Sequence, residues 1–139
     1  MIYYNIINKM DKTQILSAFN DHFMQFVQDI QLVFPDNSDI AAVSLALGKL
    51  RKANPRLLIM SFKEHVVSGY RKEIEKGDIN FFINNDYQND LNNIGLGSSN
   101  QILEKIDCLR GPVRDMNQND QEKVIKYMQN LLKLSDMYL

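Results

Sequence analysis

From Lys12 to Phe34 the apolar residues Leu16, Phe19, Phe23, Phe26, Val27, Ile30 and Phe34 recur at intervals of three and four. That is the period of one helix face; a strand, whose side chains alternate every second residue, does not use it. The rhythm returns at Ile40, Val43, Leu47 and Leu50, and again at Leu58, Phe62, Val66, Tyr70 and Ile74, where every step is four. Stripes of this kind must be buried against other helical stripes, so the expected fold class is all-α. The only stretch whose alternation allows a strand is residues 2–7.

Local signals divide the chain. Pro35 stops the first helix, and Asp36-Asn37-Ser38 supplies a turn and a fresh N-cap for a second helix that runs to about Ala53. Asn54 is expected to cap a third helix, with Pro55 at its first position, where the missing N–H costs nothing. Gly77 is placed to close that helix in a left-handed conformation. Ile79, Phe81, Phe82 and Ile83 form a short apolar knot worth one or two helical turns, followed by a polar loop. A fourth long segment follows Gly95-Leu96-Gly97-Ser98-Ser99, with Ile102, Leu103, Ile106 and Leu109 on one face, until Gly111-Pro112 ends or kinks it. The last helix is expected to start at Asn119, paired with Glu122 as a capping box, and to bury Val124, Met128, Leu131 and either Leu132 or Leu134. The sum is a compact irregular bundle of about five helices forming a single helical domain over residues 1–139, with residues 1–10 as a loosely ordered N-terminal segment. No repeat of solenoid length is visible.

With 139 residues, 45% of them apolar, such a chain buries roughly two thirds of its unfolded surface and needs no metal or disulfide staple. Its single cysteine, Cys108, has no partner for an internal disulfide, and the apolar opening Met1-Ile2-Tyr3-Tyr4-Asn5-Ile6-Ile7 is too short for a secretory signal or a membrane span. A reducing compartment and no membrane are therefore expected. Fifteen Asn, fourteen Ile and eleven Lys against five Arg carry the bias of an AT-rich genome, which bears on source and not on chemistry.

Charge is unevenly distributed. The whole chain carries a formal −1, yet residues 49–76 hold eight basic and three acidic side chains, a local +5. Near-neutral overall charge disfavours a general polyanion-coating protein, so any nucleic-acid contact must be local. Lys49, Arg51, Lys52, Arg56 and Lys63 are the candidate partner- or phosphate-binding residues. The turn at Asn54-Pro55 adds backbone N–H groups that suit a phosphate. Three of these cations also lie where they would complement the second helix's dipole, a purely structural role. The aromatics Phe62 and Tyr70 fall on the buried stripe, a poor arrangement for base stacking.

Catalytic patterns are missing. The Gly95–Ser99 loop lacks the Lys of a Walker loop and the third Gly and preceding strand of a dinucleotide fingerprint. His22 and His65 have no ligand partner at metal spacing, and Glu64-His65 does not extend to a His-Glu-x-x-His motif. Cys108 sits in an apolar helical pattern, the setting of a buried, inert thiol. The acids Asp78, Asp86 and Asp90 read as loop chemistry, and they lack the terminal Glu of a calcium-binding EF-hand loop. No enzyme, metal or cofactor is expected.

Three stretches carry a resemblance. Phe19 to Ile30 followed by Val33-Phe34-Pro35, then Tyr70 to Phe82 with its Tyr-x-x-x-Ile, Gly-Asp and paired phenylalanines, and finally Lys126 to Ser135, resemble a small all-helical protein group of large double-stranded DNA viruses of algae and protists. The chain departs from that group's pattern at Val124-Ile125, where relatives carry an aromatic. The resemblance implies a virus-factory or virion-associated protein of the host cytoplasm, with no established activity. The resulting expectation is a non-enzymatic protein-interaction module acting in assembly or regulation, with a protein partner. The alternative is a local nucleic-acid-binding protein using the same basic face.

Overall fold

The computed structural model describes residues 11–84, 104 and 107–138. Among them the fold is all-helical and strand-free, with six helical rods, four of them long. Residues 1–10 and the Gly95–Ser99 loop, on which the expected N-terminal segment and flexible loop fall, lie outside the described residues, as do Ile102, Leu103 and Ile106.

Helix α1 (Lys12–Val33) starts on Asp11, whose carboxylate accepts from the Gln14 N–H at 2.8 Å while the Gln14 side chain accepts from the Asp11 N–H at 3.0 Å. This reciprocal cap satisfies two of the helix's orphan donors. Its inner face buries Ile15, Phe19, Phe23, Phe26, Val27 and Ile30. Pro35 stops it as expected, and α2 (Ser38–Ala53) begins on Asn37, whose side-chain oxygen accepts from the N–H groups of Asp39 and Ile40.

The corner after α2 differs from expectation. The Asn54 N–H closes α2 on the Leu50 carbonyl at 2.7 Å, and Asn54 makes no side-chain cap. Pro55 and Arg56 form a turn, so α3 starts two residues later than expected, at Leu57 (Leu57–Ser61). The Pro55 carbonyl is taken from across the molecule by Asn20, 3% exposed on α1, whose amide donates to it at 3.0 Å. A buried side chain thus holds the corner against α1 and meets the need of a buried polar group for a partner.

From α3 the chain continues without interruption through a π-helical turn (Phe62–Val67) into α4 (Ser68–Lys76). Gly77 closes this third rod at φ 75°, as the sequence leads one to expect, and the Asp78 N–H reaches back to the Glu73 carbonyl at 2.9 Å. Two short helices follow in the described chain, α5 (Asn80–Ile83) and α6 (Arg110–Arg114). The break expected at Gly111-Pro112 falls slightly earlier, at Cys108 and Leu109. Pro112 instead occupies the first turn of α6, where an N–H would lack an intrahelical acceptor anyway.

Helix α7 (Gln118–Met137) completes the bundle. Its cap is Asn117, accepting from the Asp120 N–H at 2.8 Å, and not Asn119. Met116 is buried and anchors the preceding turn, which leaves Asn117 as the residue with extended backbone at the helix entrance. Val124, Met128 and Leu131 face inward as expected, joined by Ile125 and Ser135, and Leu132 rather than Leu134 completes the stripe. Helix α1 packs against α2 and α7, and the third rod packs on α7, so one continuous core links every long helix. No helix among the described residues is long and apolar enough to cross a membrane.

Candidate functional site

The five basic residues singled out by sequence do not form one surface. Arg51 is committed to the scaffold: its guanidinium meets Asp21 on α1 at 2.5 Å and lies 3.4 Å from the Ser17 carbonyl and hydroxyl oxygens. Lys63, on the π-helical turn, donates to the Tyr138 carbonyl oxygen beyond α7. Lys49, Lys52 and Arg56 are exposed and make no ion pair with described residues. They are the three cations of the group available to a partner.

These three are arranged by α2 and its corner. Leu45, Lys49 and Lys52 are spaced by four and three, which sets them on one outward stripe of α2. Arg56 follows in the turn, and Met60 comes one helical turn later on α3. Leu45 is 68% exposed and Met60 50%, so the cations are bracketed along the chain by two uncovered apolar side chains. Cations around exposed leucine and methionine suit a surface offering both carboxylates and apolar contact.

A second place with unusual local chemistry is the third rod. Its π-helical turn carries His65, and within α4 Tyr70 leaves helical geometry at φ −131°, ψ 17°. Between this rod, α1, α5, α6 and α7 lies a cavity of about 50 Å³. Phe23, Phe26, Phe62 and Phe82 are buried around it, and Val66, Tyr70 and Phe81 are partly exposed. The Tyr70 and Phe81 rings lie 4.9 Å apart at 30°. π-Helical turns recur at functional sites because the extra residue displaces side chains from their regular positions.

The histidines are separate. His22, on α1, has its ring 4.8 Å from that of Tyr127, and burial pushes its pKa down from the ordinary histidine value. Tyr127 donates its hydroxyl to Asp29, and burial together with that bond pushes its pKa up to about 12. The half-buried Cys108 has its sulfur 3.4 Å from the Glu104 carbonyl oxygen. Among the described residues no group of three or more His, Cys, Asp or Glu is placed to hold a metal ion.

Sequence reasoning missed the π-helical turn, although a signal for it was present. In a straight α-helix each step of four overshoots a full turn by about 40°, so four such steps drift about 160° around the axis. Leu58, Phe62, Val66, Tyr70 and Ile74 nonetheless all reach the core, which a wider, underwound turn permits. Unbroken four-residue spacing was therefore the mark of a rod that could not stay regular.

The chain matches no protein-family model, no curated protein and no solved structure.

Proposed function

We propose that the chain is a non-enzymatic helical protein-interaction module that docks an acidic partner surface on the outer stripe of α2 and the corner that follows it. The observation that carries this reading is the triplet Lys49, Lys52 and Arg56, free of intrachain ion pairs among the described residues and flanked by the uncovered side chains of Leu45 and Met60. Cations of this kind steer an acidic partner and set register, while apolar anchors supply the desolvated contact. Arg51 and Lys63 belong to the fold's own contacts in this reading. The resemblance to the viral group supports a role in assembly or regulation within the host cytoplasm or the virion.

The test is the triple charge reversal Lys49→Glu/Lys52→Glu/Arg56→Glu, with Arg51 left in place so that its ion pair with Asp21 survives. The partner is captured with the wild-type chain from its source cells and then reconstituted from purified components. The variant is expected to lose at least tenfold in affinity while its thermal unfolding stays within a few degrees of wild type. Unchanged affinity sinks the reading. The alternative, phosphate contact by the same side chains, is checked by fluorescence anisotropy with short labelled single- and double-stranded oligonucleotides. Binding that weakens steeply with salt and vanishes in the variant would replace a protein partner with nucleic acid.

A further inference from the structure

Helix α2 carries opposite charges at its two ends. Asp36 and Asp39 stand at its entrance, and Lys49, Lys52 and Arg56 at its exit and the corner beyond. All five are exposed, and none makes an ion pair with described residues. The helix dipole favours that order of charges. It does not account for what lies between them. Residues 40–48 contain no charged side chain, although one side of this stretch faces outward. Ile40, Val43 and Leu47 turn to the core, whereas Ala42 and Leu45 are uncovered and Ala46 is half-covered. The outward side of a helix that meets only water ordinarily carries polar or charged residues along its whole length.

A second copy of α2 fits this pattern in one orientation. Leu45 and Ala46 are the two central residues of Ser38–Ala53, so two such helices laid antiparallel across a two-fold axis bring Leu45 beside its own counterpart. The acidic entrance of each helix then lies along the basic exit of the other, and the symmetry makes that match twice. A parallel pairing would set acid beside acid and base beside base. The alanines on the outward side keep side-chain bulk low, which lets the two axes approach closely.

We propose that the outer stripe of α2 is a homodimer interface, with Leu45 at the two-fold axis and Asp36 and Asp39 of each copy set against Lys49, Lys52 and Arg56 of the other. This rests on the reading of α2 as a docking surface and names the acidic surface it meets. The 16 residues of α2 span about 24 Å, so a single helix pair lies at the small end of specific interfaces. The dimer is therefore weak, and its population follows chain concentration.

Sedimentation velocity of the purified full chain from about 1 µM to about 1 mM, in low and moderate salt, tests the proposal. Reversible growth to twice the chain mass and no further is expected, weakening as salt rises. Leu45→Glu sets a carboxylate beside its own copy, and Asp36→Lys/Asp39→Lys makes both ends of α2 basic. Each should weaken self-association at least about tenfold, and every substituted position is exposed, so the fold is spared. Mixing the Asp36→Lys/Asp39→Lys chain with the Lys49→Glu/Lys52→Glu/Arg56→Glu chain, whose α2 ends are both acidic, should restore a dimer of one copy of each. A wild-type chain that stays monomeric at the top of the range overturns the proposal. So does a dimer untouched by Leu45→Glu, growth beyond two chains, or a mixture that fails to pair. The docking reading is judged separately, because Asp36→Lys/Asp39→Lys leaves Lys49, Lys52 and Arg56 in place. A monomeric chain whose captured partner is still lost on the triple reversal overturns the homodimer alone, and a dimer indifferent to the triple reversal overturns both.

Discussion

Helix α1 and the third rod are close in length and similarly supplied with apolar residues, yet one is a regular helix and the other is not. In α1 steps of four between buried apolar residues are offset by a step of three from Phe23 to Phe26 and another from Val27 to Ile30, so they stay on one side of a 3.6-residue helix, and Phe19, Val27 and Ile30 are fully enclosed. In the third rod every step along Leu58, Phe62, Val66, Tyr70 and Ile74 is four. The backbone keeps that stripe inward by unwinding over Phe62–Val67, and Val66 and Tyr70 are only partly covered. The contrast shows that the spacing of apolar residues, more than their number, decides whether a helix forms rigid scaffold or a wall with space behind it.

The largest effect expected from this contrast is in packing. Phe19→Ala empties a fully buried position that contacts the Phe23 and Phe62 rings and should cost about 3–5 kcal/mol in denaturant unfolding. Val66→Ala, at the partly exposed edge of the cavity, should cost under about 1.5 kcal/mol. Equal losses at the two sites would break the distinction between scaffold and wall.

The parts of this arrangement that could be read in advance rest on near neighbours. Asn37 caps α2 through groups two and three residues away, and Gly77 closes α4 on carbonyls three and four residues back, so the necessary chemistry is contiguous. The corner at Asn54-Pro55 was misread because its outcome depends on Asn20, 35 residues distant, which takes the Pro55 carbonyl. The candidate surface was legible only as a set. Charge spacing identified Lys49, Lys52 and Arg56, but that Arg51 belongs to Asp21 and Lys63 to the Tyr138 carbonyl follows from helix packing that no local pattern encodes. The cavity left no motif, since its wall is gathered from α1, the third rod, α5, α6 and α7, which are far apart in sequence.

The start of α7 offers a sharper test of such local reading, at a smaller energy. Asn117 and Asn119 are both exposed, differ by two positions, and are equally suited as residue types to capping. With Asn117 accepting from Asp120, Asn117→Ala should lower stability by about 1 kcal/mol, whereas Asn119→Ala, inside the helix, should change it by less than about 0.5 kcal/mol. A reversed order in thermal unfolding would place the helix start where the sequence alone suggested.

The smallest expected effect concerns how the irregular rod is tied to the regular scaffold. Arg71 on α4 grips Asp136 on α7 through two contacts, 2.9 and 2.6 Å, and also lies 3.5 Å from Glu75. The hydrogen bonds from Arg71 hold the Asp136 carboxyl below its ordinary pKa, with Lys63 adding to the effect. A carboxylate whose folded pKa is depressed contributes stability that is complete above its unfolded value, near 4, and is lost as pH falls through the folded value. Both side chains are more than 40% exposed, so solvent screens the pair and it adds little stability at neutral pH. Asp136→Asn should therefore barely move the denaturation midpoint at pH 7 in moderate salt and should flatten its decline as the pH falls below about 4. If the variant instead loses several kcal/mol at neutral pH, the third rod is held by this clamp and not by the Phe62 and Ile74 packing beneath it, and the division into scaffold and wall must be redrawn around α7.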